Sequence, residues 1–179
     1  MDIPTLRTSR LILRGLREAD LDAFADMQAD AEVMRYLGAG PAAGKPRTRG
    51  ETWGAMCGFM GMWGLRGYGT WAVEDAATGA FIGRAGILHP LEWPEPELAY
   101  TLARPAWGRG YATEACAAAR DWAFHTLGWE RLASFVKHGN AASSRVLEKL
   151  GAANEGDVEV LGITCARWVH HRPGRGPVA

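Results

Sequence analysis

The chain has 179 residues, of which 47% are apolar and 22% charged, and its twenty basic residues balance twenty acidic ones. That length fits one domain spanning residues 1–179, and the composition excludes the disordered and fibrous classes of protein. Because the net charge is zero, the basic excess typical of nucleic-acid-binding proteins is missing, and we expect no nucleic-acid partner.

The cysteines and the N-terminus indicate the cellular compartment. Cys57, Cys116 and Cys165 lie far apart, without the spacing of a metal site, and are interpreted as small buried residues in a reducing compartment. The N-terminal sequence MDIPTLRTSR lacks an apolar signal region, and no apolar run is long enough to cross a membrane. We therefore expect a cytoplasmic protein with no metal and no membrane partner.

The first half of the chain predicts a strand followed by helices. Alternation in RLILRGL predicts the strand, and apolar residues at helical spacing after it predict a helix followed by a shorter one. A segment rich in glycine, proline and basic residues predicts a loop, and an apolar stripe beyond it predicts an amphipathic helix. The strand covers residues 10–16, the first helices start at Glu18, the loop covers 38–49, and the amphipathic helix covers 52–66 with the stripe Trp53, Met56, Met60 and Trp63.

The second half predicts a hairpin, a third strand and two helix–strand units. β-Forming residues flank the turn AATGA, and a long helix presents a face of small residues that suits close contact with a sheet. The mixture of elements predicts an α/β or α+β domain around one mixed sheet, with a frayed tail at 173–179. The strands cover residues 69–75, 81–88, 97–104, 132–137, 158–161 and 165–170, the helices cover 110–127 and 141–150, and the small-residue face is Ala112, Ala115, Cys116, Ala119, Trp122 and Ala123.

The segment LARPAWGRGYATEA carries the clearest chemical signal, because a strand runs through glycines into a helix. Free backbone N–H groups and the helix dipole point at such a turn, and Gly108 and Gly110 allow a phosphate to approach closely. The same glycines also suit a tight turn without a ligand. A P-loop and a dinucleotide fingerprint are excluded, since the GK[ST] sequence and the third small residue are missing.

A second segment, NAASSRVLEKLG, opens the later helix with Asn140 and Ser143. Asn140 stands at an N-cap position, so capping is an alternative to ligand binding. Together the two segments resemble the GNAT superfamily of acyl-CoA-dependent N-acetyltransferases, whose signature is Q/R-x-x-G-x-G/A after a strand and N-x-x-S later. Trp107 replaces the first motif residue. TSRLILR, ADAEVMRYLG and EKLG extend the resemblance to the branch that acetylates the N-termini of ribosomal proteins, over nearly the whole chain.

The resemblance implies a single domain with a mixed, mostly antiparallel sheet, flanked by helices and splayed between the fourth and fifth predicted strands. It also implies acetyl-CoA as the acyl donor and a peptide N-terminus or small amine as the acceptor. Relatives often form homodimers, which makes a second copy of the chain a candidate partner. Its implied donor-binding residues are Tyr100, Thr101 and Leu102 for the pantetheine arm, Trp107, Gly108, Arg109, Gly110, Tyr111, Ala112 and Thr113 for the pyrophosphate, and Asn140 and Ser143 for the pantetheine and its thiol end.

Direct transfer to an amine requires a base and donors for the thioester oxygen. Glu97 is the candidate base, because burial beside Trp93 and Tyr100 would raise its pKa toward neutrality. Glu95 is the alternative base, and an ordinary solvated carboxylate is the alternative for both. A backbone N–H near Ala99 or Tyr100 would serve the oxygen.

A proton donor for the thiolate is the remaining role, for which Ser143 and Tyr111 are candidates, although a thiolate leaves without much help. The main alternative to an enzyme is a non-catalytic acyl-CoA sensor or interaction module. Core packing is expected for the other aromatic residues, with three of them as alternative walls of an acceptor pocket, and all histidines are expected at the surface. The aromatic set is Trp53, Trp63, Tyr68, Trp71 and Trp93, of which Trp63, Tyr68 and Trp93 are the alternative walls, and the histidines are His89, His125, His138, His170 and His171.

Overall fold

A computed structural model describes residues 2–38 and 40–174. The part of the predicted frayed tail beyond residue 174 therefore lies outside the described residues. Within those ranges, eight strands form one sheet in the order β1-β2-β3-β4-β5-β6-β8-β7, with five α-helices around it. The strands are β1 (Leu6–Arg7), β2 (Leu11–Arg14), β3 (Thr70–Asp75), β4 (Phe81–Leu88), β5 (Glu97–Leu102), β6 (Arg131–Lys137), β7 (Ala153–Val160) and β8 (Ile163–His171), and the helices are α1 (Leu21–Ala29), α2 (Ala31–Met34), α3 (Arg49–Arg66), α4 (Tyr111–Thr126) and α5 (Ala141–Lys149).

The pairing of β5 with β6 divides the sheet. Neighbouring strands elsewhere in it run antiparallel, but the crossover through α4 returns the chain beside β5 in the parallel direction. Among the described residues, these two strands share the single register pair Glu97–Ala133 and then diverge. The splay predicted between the fourth and fifth strands is therefore confirmed, and the sheet is mixed and mostly antiparallel.

The helices cover both faces of the sheet. Because side chains alternate along a strand, Ala72 of β3 packs with the residues of α1 and α3, whereas Trp71 and Val73 pack against α4. The predicted small-residue face of α4 is confirmed, since four of its residues are fully buried and allow close approach of the helix to the sheet. Those residues are Ala115, Cys116, Ala119 and Ala123.

Several element bounds differ from the predictions. The strand predicted over 97–104 ends at Leu102, because Pro105 fixes the backbone angle φ of a short helical turn over Arg104–Ala106. The strand predicted over 158–161 begins at Ala153, since this edge strand is polar and exposed and shows no apolar alternation. The two-residue strand β1 was not predicted, and the strand predicted over 10–16 covers only Leu11–Arg14.

Three burial predictions were wrong. Trp53 is 44% exposed and Cys57 is exposed, because α3 buries the neighbouring face that carries Met56 and Trp63. His170 is 2% exposed rather than at the surface, since it takes an inward position of β8 with its Nε2 atom 3.2 Å from the hydroxyl of Ser134. Burial lowers the pKa of His170 to about 4, which leaves its ring neutral.

Candidate active site

Two cavities meet where β5 and β6 diverge. The larger has a volume of about 560 Å³ and the smaller about 370 Å³. The smaller cavity follows the start of α4, whereas the larger lies between the sheet and α3. Their common lining makes them one continuous groove, which runs past the ends of both diverging strands. The shared residues are Tyr36, Leu37, Tyr100, Asn140 and Ser143.

The open edge of β5 offers backbone groups to this groove. The Leu98 carbonyl accepts a hydrogen bond from the Ser134 hydroxyl of β6 at 2.8 Å, and the Leu102 carbonyl accepts one from the indole N–H of Trp107 at 2.7 Å. Backbone groups alternate along a strand, so Tyr100, midway between them, presents its N–H and C=O to the same side. β5 can therefore accept an extended ligand as an additional strand.

The start of α4 has a backbone geometry that suits an anion. The N-cap residue Gly110 has a left-handed backbone (φ 79°) and no side chain, so the N–H groups of the first turn remain available. Gly108 is also left-handed (φ 72°), and a Cβ atom there would meet no atom within 4 Å, because the loop faces open space. The Arg10 and Arg109 guanidinium carbons lie 4.7 and 4.6 Å from the centre of the Tyr111 ring. Arg10 is ion-paired with Glu114 at 2.7 Å, so Arg109 supplies the positive charge beside the loop.

The start of α5 contributes Asn140 and Ser143. The Asn140 side-chain oxygen accepts a hydrogen bond from the Ser143 N–H at 3.3 Å, so the capping alternative is present, while the Asn140 amide N–H groups stay available for a ligand. The Ser143 hydroxyl lies 3.1 Å from that of Tyr100. Burial raises the pKa of Tyr100 to about 12, so this pair holds its protons at neutral pH. The Tyr111 hydroxyl instead donates to Asp75 at 2.9 Å.

Glu97 is the first residue of β5 and belongs to the one register pair that this strand shares with β6 among the described residues. Its side chain is 8% exposed and accepts hydrogen bonds from the Trp93 indole N–H at 2.8 Å and from the Phe135 N–H at 3.2 Å. Burial raises the pKa of Glu97 to about 7, although both hydrogen bonds and the nearby charge of Arg84 act in the opposite direction. Such a carboxylate can accept a proton near neutral pH.

Glu95, the alternative base, occupies a different environment. It accepts a hydrogen bond from Arg167 at 2.6 Å, and a second guanidinium, that of Arg131, lies 3.9 Å away. Both partners belong to the far side of the gap, on β8 and β6. Glu95 therefore links the loop before β5 to the other half of the sheet.

The remaining aromatic residues divide between core and cavity. Trp93 lines the larger cavity, whereas Trp63, Trp71 and Tyr68 pack in the core. The larger cavity also contains three basic residues that were not predicted from the sequence, Arg47, Arg84 and Lys137. A signal existed for Arg84, because it is a charged residue inside the apolar run FIGRAGIL.

Neither a metal site nor a membrane span is found in the part of the chain that the structure describes. Within residues 2–38 and 40–174, no three His, Cys, Asp or Glu side chains come together as a possible set of metal ligands. None of the described helices combines the length and the apolar character required to cross a bilayer.

Comparisons with known proteins agree with this geometry. A family model described as an acetyltransferase (GNAT) domain matches residues 10–153. The chain is 30% identical over 157 residues to the uncharacterized N-acetyltransferase YoaA of Bacillus subtilis, covering 86% of this chain and 85% of that one. An acetyltransferase structure from Agrobacterium tumefaciens superposes with a TM-score of 0.84 at 35% identity over 96% of both chains. RimJ of Mycobacterium smegmatis, solved in complex with CoA-disulfide, shares the fold with a TM-score of 0.74 at 22% identity, over 90% of this chain and 81% of that one.

Proposed function

Because the chain belongs to the GNAT acetyltransferase family, we propose that it moves the acetyl group of acetyl-CoA directly onto a primary amine bound beside the donor. The observation that carries this proposal is the position of Glu97, a buried carboxylate with a pKa of about 7 that lines the larger cavity next to the gap in the sheet. The donor would occupy the smaller cavity and the gap, and the acceptor would occupy the larger cavity.

Donor binding would use mainly backbone groups. The Tyr100 N–H and C=O would pair with the pantetheine arm as an added strand, and the Asn140 amide would bind the same arm. The N–H groups at the start of α4, together with Arg109, would bind the pyrophosphate. The uncapped helix start and the left-handed Gly108 support this assignment.

Glu97 would act as the base, directly or through a water molecule. It would take a proton from the acceptor amine as nitrogen attacks the thioester carbon, the C–N bond forms and the C–S bond breaks. The Tyr100 N–H would donate to the thioester oxygen as negative charge develops there. The CoA sulfur would leave as a thiolate, and the Ser143 hydroxyl, 3.1 Å from that of Tyr100, would stabilise it by donating a hydrogen bond.

The first test compares the wild type with Glu97→Gln. We expect kcat to fall by roughly 100-fold or more, the usual effect of removing a general base. The measurement is acetyl-CoA-dependent thiol release over a panel of peptides and small amines, in a Cys57→Ser background because the Cys57 thiol is exposed. Acetyl-CoA should still raise the melting temperature of the variant, since the donor groove is unchanged.

Glu95→Gln is the matched control, since it removes the neighbouring carboxylate charge two residues earlier in the chain. Its partners are Arg167 and Arg131, so we expect kcat to remain within a few-fold of the wild type. A large loss of kcat in Glu95→Gln, with no loss of kcat in Glu97→Gln, would refute the assignment of Glu97 as the base. A failure of every acyl-CoA to shift the melting temperature would refute donor binding.

A further inference from the structure

Arg84 is a buried cation with unused donors. It projects from β4 into the larger cavity and is 7% exposed, with its guanidinium carbon 4.8 Å from the centre of the Phe59 ring. Its Nε and Nη1 atoms find no hydrogen-bond acceptor among the described residues. Unpaired donors of a buried charge are costly in free energy, so such an arrangement indicates a site that a ligand completes.

The charges around the cavity have one predominant sign. Arg47, Arg84 and Lys137 line it, and Glu97 is the one acidic residue among the described lining residues. The Lys137 ammonium donates to the carbonyl of Gly38 at 2.6 Å. Burial lowers the pKa of Arg84 to about 10, the charge of Glu97 opposes this shift, and the charge of Arg47 adds to it. Arg47 and Arg84 both line the cavity, so an anion bound there would meet two positive charges.

The floor of the cavity separates Arg84 from Glu97. On β4 and β5 the register pairs Arg84 with Thr101 and Leu88 with Glu97, so both charged side chains point to the face of the sheet covered by α3. Between them lies Ala99, which lines the cavity and whose small side chain leaves room. Four residues along a strand span about 13 Å, a gap that two long side chains and a small molecule can fill.

Resting on the function proposed above, we infer that the acceptor is a small amino acid-like molecule whose carboxylate binds Arg84 while its amine lies at Glu97. A guanidinium binds a carboxylate through charge-assisted hydrogen bonds, and Arg84 lines the cavity without a hydrogen-bond partner at its Nε and Nη1 atoms among the described residues. The predominantly basic lining disfavours polyamines and other acceptors with several positive charges. The apolar wall formed by Phe59, Met62 and Trp93 suits the side chain of the acceptor.

The test pairs each carboxylate with its neutral amide. Thiol release is measured with apolar, acidic and basic α-amino acids, with β-alanine and 4-aminobutanoate, with their amides, and with peptides. For wild-type enzyme we expect at least one acid to have a kcat/KM about ten-fold or more above that of its amide, the effect of one charge-assisted contact. Arg84→Met, which keeps length and contact with Phe59, should abolish the preference mainly through KM.

Two controls separate folding and donor binding from acceptor choice. Arg49→Met removes an exposed guanidinium that pairs with Asp22 and should keep the full preference. Arg84→Met should keep the melting-temperature increase caused by acetyl-CoA, which shows that its fold and donor groove are intact. If Arg84→Met does not fold, the comparison of acid with amide in the wild-type enzyme and in Arg84→Lys still decides the question, because the shorter ammonium should weaken the preference.

A binding measurement tests the inference about the acceptor independently of the proposed activity. The N-acetyl derivatives of the same acids and amides are titrated into the CoA-saturated protein by calorimetry. Tighter binding of a charged derivative without any turnover would refute the proposed activity and support the inference. Three results would overturn the inference. Amides or peptides could be turned over as well as every acid, the preference could be unchanged in Arg84→Met, or charged and neutral derivatives could bind equally.

Discussion

At the scale of single residues, hydrogen bonds and burial act on Glu97 in opposite directions. Burial raises its pKa, whereas the N–H groups of Trp93 and Phe135 stabilise the ionised form and limit the rise to about 7. The carboxylate is thus half ionised near neutral pH, where a base is both available and strong enough. Its two hydrogen bonds come from opposite sides of the gap, one from the loop before β5 and one from β6.

The first residue-scale prediction concerns pH. We expect kcat at saturating acetyl-CoA and acceptor to fall about ten-fold per pH unit below a midpoint near 7, because only ionised Glu97 accepts a proton. Trp93→Phe removes a donor that favours the ionised form, so the pKa of Glu97 should rise and the midpoint should move to higher pH.

Trp53→Phe is the control for this profile, since Trp53 is exposed on the outer face of α3 and does not contact Glu97. Its midpoint should equal that of the wild type. A midpoint that stays in place in Trp93→Phe would mean that another group controls the profile.

Glu97 and Arg84 show what a sequence reveals about individual residues. Glu97 could be predicted because it starts a strand in a chain with family motifs. Of its expected neighbours Trp93 and Tyr100, Trp93 donates a hydrogen bond to it, whereas Tyr100 pairs with Ser143. The sequence marked Arg84 only as a charged residue inside an apolar run, and its burial could not be predicted, because an arginine in a strand normally faces water. Its burial depends on α3, which precedes it by many residues and places Phe59 against its guanidinium, a contact that no local pattern encodes.

At the scale of elements, two glycines with the same backbone angle allow the effect of a substitution on stability to be measured apart from its effect on donor binding. Gly108, before α4, and Gly128, after it, both have φ 72°, and a Cβ atom at either would meet no atom within 4 Å. An alanine should therefore cost similar backbone strain at both positions, about 1–2 kcal/mol. Only at Gly108 would the new methyl group project into the proposed phosphate site.

The element-scale prediction follows from this match. We expect Gly108→Ala and Gly128→Ala to lose equal stability in urea unfolding, but only Gly108→Ala to show a several-fold increase in the KM for acetyl-CoA. The KM for the acceptor should change little in either variant. Equal changes in the KM for acetyl-CoA would contradict the assignment of the glycine loop to the donor.

Elements with strong periodicity could be predicted, and weakly patterned ones could not. The alanine face of α4 and the hairpin of β3 and β4 follow from alternation and spacing within each segment. The first half of β7 is an exposed, polar edge strand, so its pairing with β8 is held by backbone hydrogen bonds that leave no apolar pattern. Trp53 was misassigned because a stripe at helical spacing does not show which side faces the core.

At the scale of the whole molecule, the sheet consists of two halves that meet at the pair Glu97–Ala133. Side chains reinforce this junction, with Ser134 bonded to the Leu98 carbonyl and Arg167 bonded to Glu95. A donor inserted between β5 and β6 would contact both halves at once. Donor binding should therefore stabilise the complete domain and not only the loop before α4.

At the scale of the whole molecule, we predict a single unfolding transition whose melting temperature rises as one when acetyl-CoA binds. At about 100 times its dissociation constant, acetyl-CoA should add roughly 2.7 kcal/mol and raise the melting temperature by roughly 5–11 °C. The measurement is calorimetry with and without the donor, with acetate as a control ligand. Two resolved transitions, of which only one moved, would show that the halves unfold independently.

In the proposed complex, the groove would recognise the donor mainly through backbone groups and the acceptor through side chains. Every residue except proline has the same N–H and C=O groups, so most point mutations along β5 leave the donor contacts unchanged. A mutation at Arg84 or Phe59 alters the acceptor wall at once. Gene duplication followed by drift would therefore produce new acceptor choices much faster than new donors, and descendants of one ancestor would diverge in substrate while keeping the same acyl source.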